Sequence, residues 1–457
     1  MKMKKVLSLG LSVLMCATLL AGCGSDKNEA TSAEGKTLKI AGLNGGYGTA
    51  GWEAVVKAFE EKTGAKVELQ LEKNIADVLR PVITSGKDVP DLIYLSVGSE
   101  GGLVDTMIQE KAITEITDVL DMKVYGEDIK VKDKLIPGFT SSFSTSPYGD
   151  GKLYLAPFTY DPCGLFYNAG LFKEKGWKVP TTWDEMWELG DKAKKEGISL
   201  FTYPTTGYFD AFFSALLNET AGPDAYKKAM EYDVDTWKSA DVKKAFEIVG
   251  KLAKYTHPDT VTNATTDKAF TKNQQLILDN KALFCPNGTW LPTEMAKAPR
   301  ADGFSWGFTA LPKVTADGDS YSSTFSEQVY IPSKAKEVDL AKTFITFIYS
   351  DEAAKLFVEK AGTVLPTTTA SGFIPEKVKD ESGKEIDNEK KLFYSIYDNG
   401  AKSDIVGFKA VEAIPGVTLL TDKGILYGSV NAVVNGTMSV DEWYNQVVEA
   451  VGKYAEK

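Results

Sequence analysis

Residues 38–70 read LKIAGLNGGYGTAGWEAVVKAFEEKTGAKVELQ, and the order of elements in this stretch decides the fold class. Leu38 to Leu43 is a short apolar run with the length of a buried strand. Trp52, Val55, Val56 and Phe59 then recur at helical spacing until Gly64, a residue suited to the left-handed position after a helix end. Val67, Leu69 and Leu71 alternate as a second strand, and DLIYLSV from Asp91 supplies a third. Strand, helix and strand in this order predict a parallel βαβ unit and an α/β protein. The same grammar returns from LFYN at Leu165. Thr182 and Glu185 spell a capping box ahead of one helix, and Ser439 and Glu442 spell another near the C-terminus. Helices alternate with strands throughout, with no internal repeat. The one strongly charged insertion, DESGKEIDNEKK from Asp380, reads as a solvated loop or helix edge.

Gly46, Gly48 and Gly51 also spell GxGxxG after a strand and at the start of a helix, with Glu72 where a dinucleotide site would hold a ribose. That match has little else to support it. The chain carries one histidine, His257, and no acid or base placed for hydride transfer. A glycine-rich turn into a helix still presents backbone N–H groups to any polar ligand above the sheet.

Upstream of the first strand, Lys2, Lys4 and Lys5 precede an apolar run from Val6 to Gly22 that is short for a membrane span, which needs about 20 residues. Residues 1–22 therefore read as a signal peptide. Leu20-Ala21-Gly22-Cys23 resembles the lipobox of bacterial lipoproteins, in which cleavage before the cysteine leaves Cys23 carrying diacylglycerol. Residues 23–36 then form the lipidated cysteine and a polar leash, almost free of large apolar residues. Removing the three lysines of the signal takes the formal net charge from −11 to −14, which argues against nucleic acid as a partner.

Hydrophobic residues make up 43% of the chain, with 22 Phe, 20 Tyr and 8 Trp, enough for large packed cores in two or three domain-sized units. Of four cysteines, Cys163 and Cys285 remain after the signal and the lipidation site, and spacing alone leaves pairing or free thiols open. There is no P-loop, no GxSxG elbow, no CxxC pair and no histidine cluster, so phosphoryl transfer, serine hydrolysis and zinc catalysis lack their minimum parts. The acidic loop Asp317-Gly318-Asp319 is a calcium candidate without EF-hand spacing. A glycosidase needs only two carboxylates facing a sugar, and among 63 acidic residues a pair is uninformative.

Several further segments occur in a fixed order. They are VPDLIYLSVGSEGG with ITEIT, then GKLYLAPFTYDPCGLFYNAGLFKEKGWKVPTTWDEM, KALFCPNGTW, GFTALPK, YIPSKAKEVDLAKTFITFIYS and MSVDEWYNQVVEAV. With residues 38–70, this series, in which GxxYxxP, YN, TWxE and NGxW follow one another, resembles family 1 extracellular solute-binding proteins of ABC transporters, the maltodextrin-binding-like group. The resemblance implies a type II periplasmic-binding fold: two α/β lobes that close on a sugar in the cleft between them. It implies a first lobe from 37–158 plus 314–366 and a second from 159–313 plus 367–457. The chain would cross between them near 157–161, 311–314 and 363–367. No cofactor is expected. The implied partners are a carbohydrate and the permease subunits of an importer. The implied location is the outer face of the cell membrane, where a monomer is held by its lipid.

Site residues follow from the same matching. Gly46 and Tyr47 fall in the first-helix loop that contacts ligand in this family, Ser96 follows the third strand, and Asp161 lies just past the first crossing. Tyr208 and Phe209 fall on an aromatic ligand-contacting segment, and Trp290 matches a tryptophan that stacks on a sugar ring. Glu294 and Glu327 lie near these segments. A pyranose has an apolar C–H face for an aromatic plate and hydroxyl edges for carboxylates, which suits Trp290 and Asp161 in one groove. The chain departs from maltodextrin binders in the first loop, at Leu95 to Ser99 and at Asp422-Lys423, which argues against maltodextrin. The segment PNGTWLPTEMAKAP is similar to the N-acetylglucosamine- and chitobiose-binding branch. Two functions remain, a non-enzymatic sugar receptor and a lipid-anchored carbohydrate-active enzyme, either glycosidase or dehydrogenase. The first is the stronger because it requires no catalytic group.

Overall fold

Strand β1 (Thr37–Leu43) runs parallel to both β2 (Lys66–Glu72) and β3 (Leu92–Tyr94), so the opening βαβ unit forms as its sequence predicts. The computed structural model describes residues 33–99, 102–266, 269–379, 383–412, 414–419 and 424–456. The signal peptide, Cys23 and most of the leash, together with Asp422 and Lys423, lie outside these residues. The helix Ala50–Thr63 ends at Gly64 with φ of 72° and its N–H on the Glu60 carbonyl, a left-handed cap that glycine adopts without a Cβ penalty. Within GxGxxG, Gly51 serves packing: a Cβ there would lie 2.9 Å from both Phe357 Cδ1 and Ala361 Cβ of the helix Asp351–Ala361. Trp52 on the same helix stacks on Phe158 and packs tilted against Tyr94, the three rings forming a triangle with centroids 5.0 Å apart, and fills the first core.

The described residues contain two large sheets. The first has the order β2-β1-β3-β10-β4, where β4 is Leu155–Pro157 and β10 is Gln328–Tyr330. Here β10 is antiparallel to β3 and β4, so the sheet is mixed. The second is built on β5 (Asp161–Asn168), which pairs antiparallel with β7 (Ala282–Gly288), β8 (Trp306–Thr309) and β9 (Tyr321–Phe325). Strands β6 (Ser199–Phe201) and β13 (Lys402–Ile405) extend it in parallel on β7 and β9. Its core gathers Phe213, Phe246 and Trp443, with the last two rings 4.5 Å apart. The helix Val440–Ala455, which carries Trp443, opens with the full capping box of Ser439 and Glu442. At the other predicted box Thr182 caps Glu185 N, but the Glu185 carboxylate turns to Thr181.

The chain leaves the first sheet after Pro157 and enters the second at Asp161. It returns at Ser326–Glu327, between β9 and β10, later than the 311–314 passage expected from the sequence. Lys313 stays in the second lobe, its N–H on the Thr181 carbonyl, and the chain doubles back so that β9 pairs with β5. The polar Ser322-Ser323-Thr324 centre of β9 hides that strand from a search for apolar runs. The first two crossings lie side by side, with Phe158 N donating to the Glu327 carbonyl at 2.7 Å. The third comes later than the expected 363–367: Pro366, Thr367 and Thr368 are still bonded to Ile136, Leu135 and Lys134 of the first lobe, and the helix Glu389–Asp398 carries the chain onto the second sheet through Phe393.

The charged insertion supplies one strand of an exposed hairpin, β12 (Glu385–Asp387), which pairs with β11 (Lys377–Lys379) just before the insertion and precedes the helix Glu389–Asp398. Lys390, though, turns inward and donates to the Gly362 carbonyl at 2.7 Å. Cys163 and Cys285 are buried free thiols. Asp319 pairs with Lys402 at 2.6 Å, and no group of three or more metal-ligating side chains occurs among the described residues.

Candidate functional site

Asp161, at the start of β5, is the hub of a hydrogen-bonded group at the crossing between the sheets. Its Oδ2 accepts from the Tyr47 hydroxyl at 2.5 Å and its Oδ1 from the Thr289 hydroxyl at 3.2 Å. Tyr47 belongs to the first lobe, in the turn after β1, and Thr289 to the second, just past β7. One buried carboxyl group thus grips a hydroxyl from each side. Burial pushes the Asp161 carboxyl above its usual range, opposed by the Tyr47 hydroxyl, the Lys390 ammonium and Thr289. Burial also raises the Tyr47 phenol, so it remains a donor.

Glu327 stands beside this pair at the second crossing. It accepts from the Tyr94 hydroxyl, and its own N–H is held by Thr159 Oγ1 at 2.8 Å. Burial raises its carboxyl to about 7, with the nearby Asp161 charge adding to the effect. Asp210, half-buried at the start of the helix Phe209–Ala221, is likewise raised to about 7 and Asp404 to about 6, both by desolvation. A carboxyl raised in the folded state holds its proton where the unfolded chain has lost it, so stability falls as pH rises between the usual carboxylate range and about 7. His257, lowered by burial, acts with the opposite sign. With these carboxyls, and Asp161, Glu219 and Glu389 raised by burial as well, set against one imidazole, the melting temperature of ligand-free protein is expected to rise from pH 8 to pH 5.5. Glu327→Gln should flatten that slope, and an unchanged slope in thermal melts would count against the buried state of Glu327.

Trp290 caps the short helix Leu291–Glu294 and lies half-buried over Gly288. A Cβ at Gly288 would meet its six-membered ring at 2.1 Å, so only glycine lets the indole lie there. Phe325 packs edge-on at 5.8 Å and Tyr208 tilted at 6.4 Å. Phe325 keeps 39% of its surface exposed, and as the β9 partner of Asp161 it joins the aromatic cradle to the carboxyl.

The remaining expected residues divide. Gly46 is exposed in the turn beside Tyr47, and the Ser96 carbonyl closes a turn with Ser99 N and Oγ after β3. Glu294 is exposed and takes a hydrogen bond from Gln274 Nε2 at 2.8 Å, apart from the Asp161 network. Phe209 departs from expectation. It is 1% exposed and packs on Tyr203 at 4.9 Å and Phe212 at 5.3 Å, because as the first residue of its helix it faces the second-lobe core. Sequence reasoning missed Thr289, Tyr94, Phe325, Asp210 and Lys390. Of these Thr289, Tyr94 and Lys390 stand inside quoted segments, the NGTW turn, DLIYLSV and the charged insertion, but none carries a site signal there.

Two mixed sheets, adjacent chain crossings and a polar and aromatic cleft between them define a two-lobed solute-binding protein of the type II periplasmic-binding fold. The chain belongs to the bacterial extracellular solute-binding protein family, whose model matches residues 54–383. It is 27% identical over 365 residues to the diacetylchitobiose binding protein NgcE of Streptomyces coelicolor, covering 77% of this chain and 73% of that one. It is 24% identical over 381 residues to the multiple sugar-binding protein of Streptococcus mutans, covering 79% and 82%. Its fold matches the solute receptor AcbH, described as preferring β-D-galactopyranose, with a TM-score of 0.63 at 19% identity over 93% of this chain and 98% of that one. Among the described residues no helix is long and apolar enough to cross a membrane.

Proposed function

We propose that this protein is the carbohydrate receptor of an ABC importer. One observation carries this reading: the buried Asp161 carboxyl already holds two hydroxyl groups, at the foot of an aromatic cradle formed by Trp290, Tyr208 and Phe325. A carboxylate that accepts from hydroxyls and a plate for C–H faces are the two complements of a sugar. The sugar-binding names of the relatives support the same class of ligand. The first lobe is 37–158 plus 327–374 and the second 159–326 plus 375–457, with sugar entering as they open about the crossings. The protein binds without turnover and hands its ligand to the permease as a monomer. A thermal-shift screen of residues 33–457 against mono- and oligosaccharides tests this. A cognate sugar at 100 times its Kd adds about 2.7 kcal/mol of stability, and a panel without any shift would count against the reading.

Cys23 is the lipid attachment point in this account, holding the receptor at the outer face of the membrane and keeping its effective concentration near the permease high. Two acyl chains anchor stably where one does not. Cys23→Ala is expected to release the protein from membrane fractions and to lower uptake of labelled sugar sharply, with the affinity of the purified protein unchanged. Undiminished membrane association would reject the anchor, and weakened binding would place the N-terminus in the site.

A further inference from the structure

Outside the three crossings the lobes meet again, where the stretch 406–411 that follows β13 lies against the first-lobe loop 143–149. The stretch is carried by the second lobe: Lys409 N donates to the Met230 carbonyl at 3.0 Å, and the Phe408 ring packs on Tyr232 at 5.4 Å and stacks on Trp237 at 6.3 Å. The loop is carried by the first lobe. The Thr145 carbonyl takes the N–H groups of Tyr154 and Leu155 at 3.0 and 3.2 Å, and the Tyr148 hydroxyl donates to the Ile108 carbonyl at 2.8 Å.

Each side reaches into the other. Ala410 donates its N–H to the Pro147 carbonyl at 2.9 Å and packs with Tyr148 and Tyr154 on a first-lobe core that includes Ile108 and Leu155. Phe143 of the loop, 6% exposed, joins the second-lobe core with Met230 and Tyr321. At Gly407 the two backbones touch: a Cβ there would stand 3.0 Å from Ser144 N and 3.6 Å from Ser144 Cβ, so glycine is what permits the approach. Between this contact and the second crossing lies a cavity of about 600 Å³ with walls from both lobes, lined by Pro147, Gly407 and Ala410 at the contact and by Ser326 and Gln328 at the crossing. Phe325 lines it too, so the space adjoins the aromatic cradle.

We infer that the stretch 406–411 and the loop 143–149 form a reversible clasp that must part for sugar to enter or leave the cleft. The lobes cannot turn about the crossings while Ala410 N is held on Pro147 and Phe143 is held in the opposite core, since a packed contact separates or stays rather than stretching. What parting gives up is small, one backbone hydrogen bond with the burial of Phe143 and Ala410, so the contact can open and reclose while the crossings remain intact. The inference rests on the reading above that ligand enters as the lobes open, and adds the element that sets how fast they do so.

The double variant Ser144→Cys, Gly407→Cys tests the clasp, because a Cβ separation of 3.6 Å is one that a disulfide spans and the native Cys163 and Cys285 are buried. Thiol counting on the ligand-free protein after mild oxidation is expected to show the new pair bonded. Stopped-flow tryptophan fluorescence then follows glucose, galactose, N-acetylglucosamine, cellobiose and diacetylchitobiose. Any of these that binds the reduced protein should be taken up and lost at least roughly 10-fold more slowly by the oxidised one, with reductant restoring both rates. Gly407→Val, whose side chain pushes the stretch off Ser144, should act the other way and speed loss roughly 3- to 10-fold, the contribution of about one hydrogen bond. A pair that stays unbonded under oxidation, or a bonded protein that exchanges saccharide at the reduced rate, would overturn the clasp. If the reduced protein bound no saccharide across a wide panel, the carbohydrate reading would fail instead. The clasp would then be judged by amide exchange at Ala410, expected to be faster in Gly407→Val than in the parent, with equal protection overturning it.

Discussion

Trp290→Ala is expected to weaken sugar binding by at least roughly 30-fold, about 2 kcal/mol, as loss of a central aromatic anchor does. The indole lies over Gly288 with Phe325 and Tyr208 against it, so truncation removes the plate and loosens both neighbours. Folding should survive, because Trp290 is only half-buried and the main cores are built elsewhere, around Trp52 and Trp443. Gly288→Ala offers a second route to the same loss, since its Cβ would displace the ring while leaving Trp290 in place. Calorimetry with the cognate sugar checks both variants. Unchanged affinity in Trp290→Ala would move this residue from the cleft to a purely structural role.

Asp161→Ala is expected to cost as much or more, roughly 100-fold in affinity, because hydrogen bonds to a charged acceptor are worth about 1.5–3 kcal/mol each. The substitution strands the Tyr47 and Thr289 hydroxyls as well as any hydroxyl of the ligand. Asp161→Asn keeps an acceptor of the same shape and should lose less. Tyr47→Phe separates the carboxyl's two tasks, since it removes only the bond between the lobes and leaves Asp161 free for sugar. An Asp161→Ala protein that melts normally and binds sugar as tightly as the parent would contradict the assignment.

The first βαβ unit was legible in residues 38–70 because its signals are local: helical spacing of Trp52, Val55, Val56 and Phe59, alternation in β2, and a glycine able to adopt positive φ. The second crossing was not, because β9 is held by pairing to β5 and β13 while its own sequence is polar. The same contrast divides the site. Asp161 and Trp290 stand in segments whose order resembles a known family, and in the structure Asp161 joins Tyr47 to Thr289 while Trp290 packs against Tyr208 and Phe325. Phe209 sits next to Tyr208 and yet points the other way, a difference set by where the helix begins. Tyr94, Phe325, Lys390 and Asp210 carry no local signal, since each reaches the cleft through packing between segments far apart in the chain. Glu327 could be named from its neighbourhood, but its raised carboxyl depends on burial that only the folded chain supplies.

The most direct test of the account is calorimetric titration of residues 33–457 with the saccharides found in a thermal-shift screen, followed by recovery of the bound sugar after long incubation. Saturable one-to-one binding, lost in Asp161→Ala, and a sugar released chemically intact are the expected results. Hydrolysis or oxidation product that scales with protein concentration, or saturable binding that Asp161→Ala leaves untouched, would contradict it.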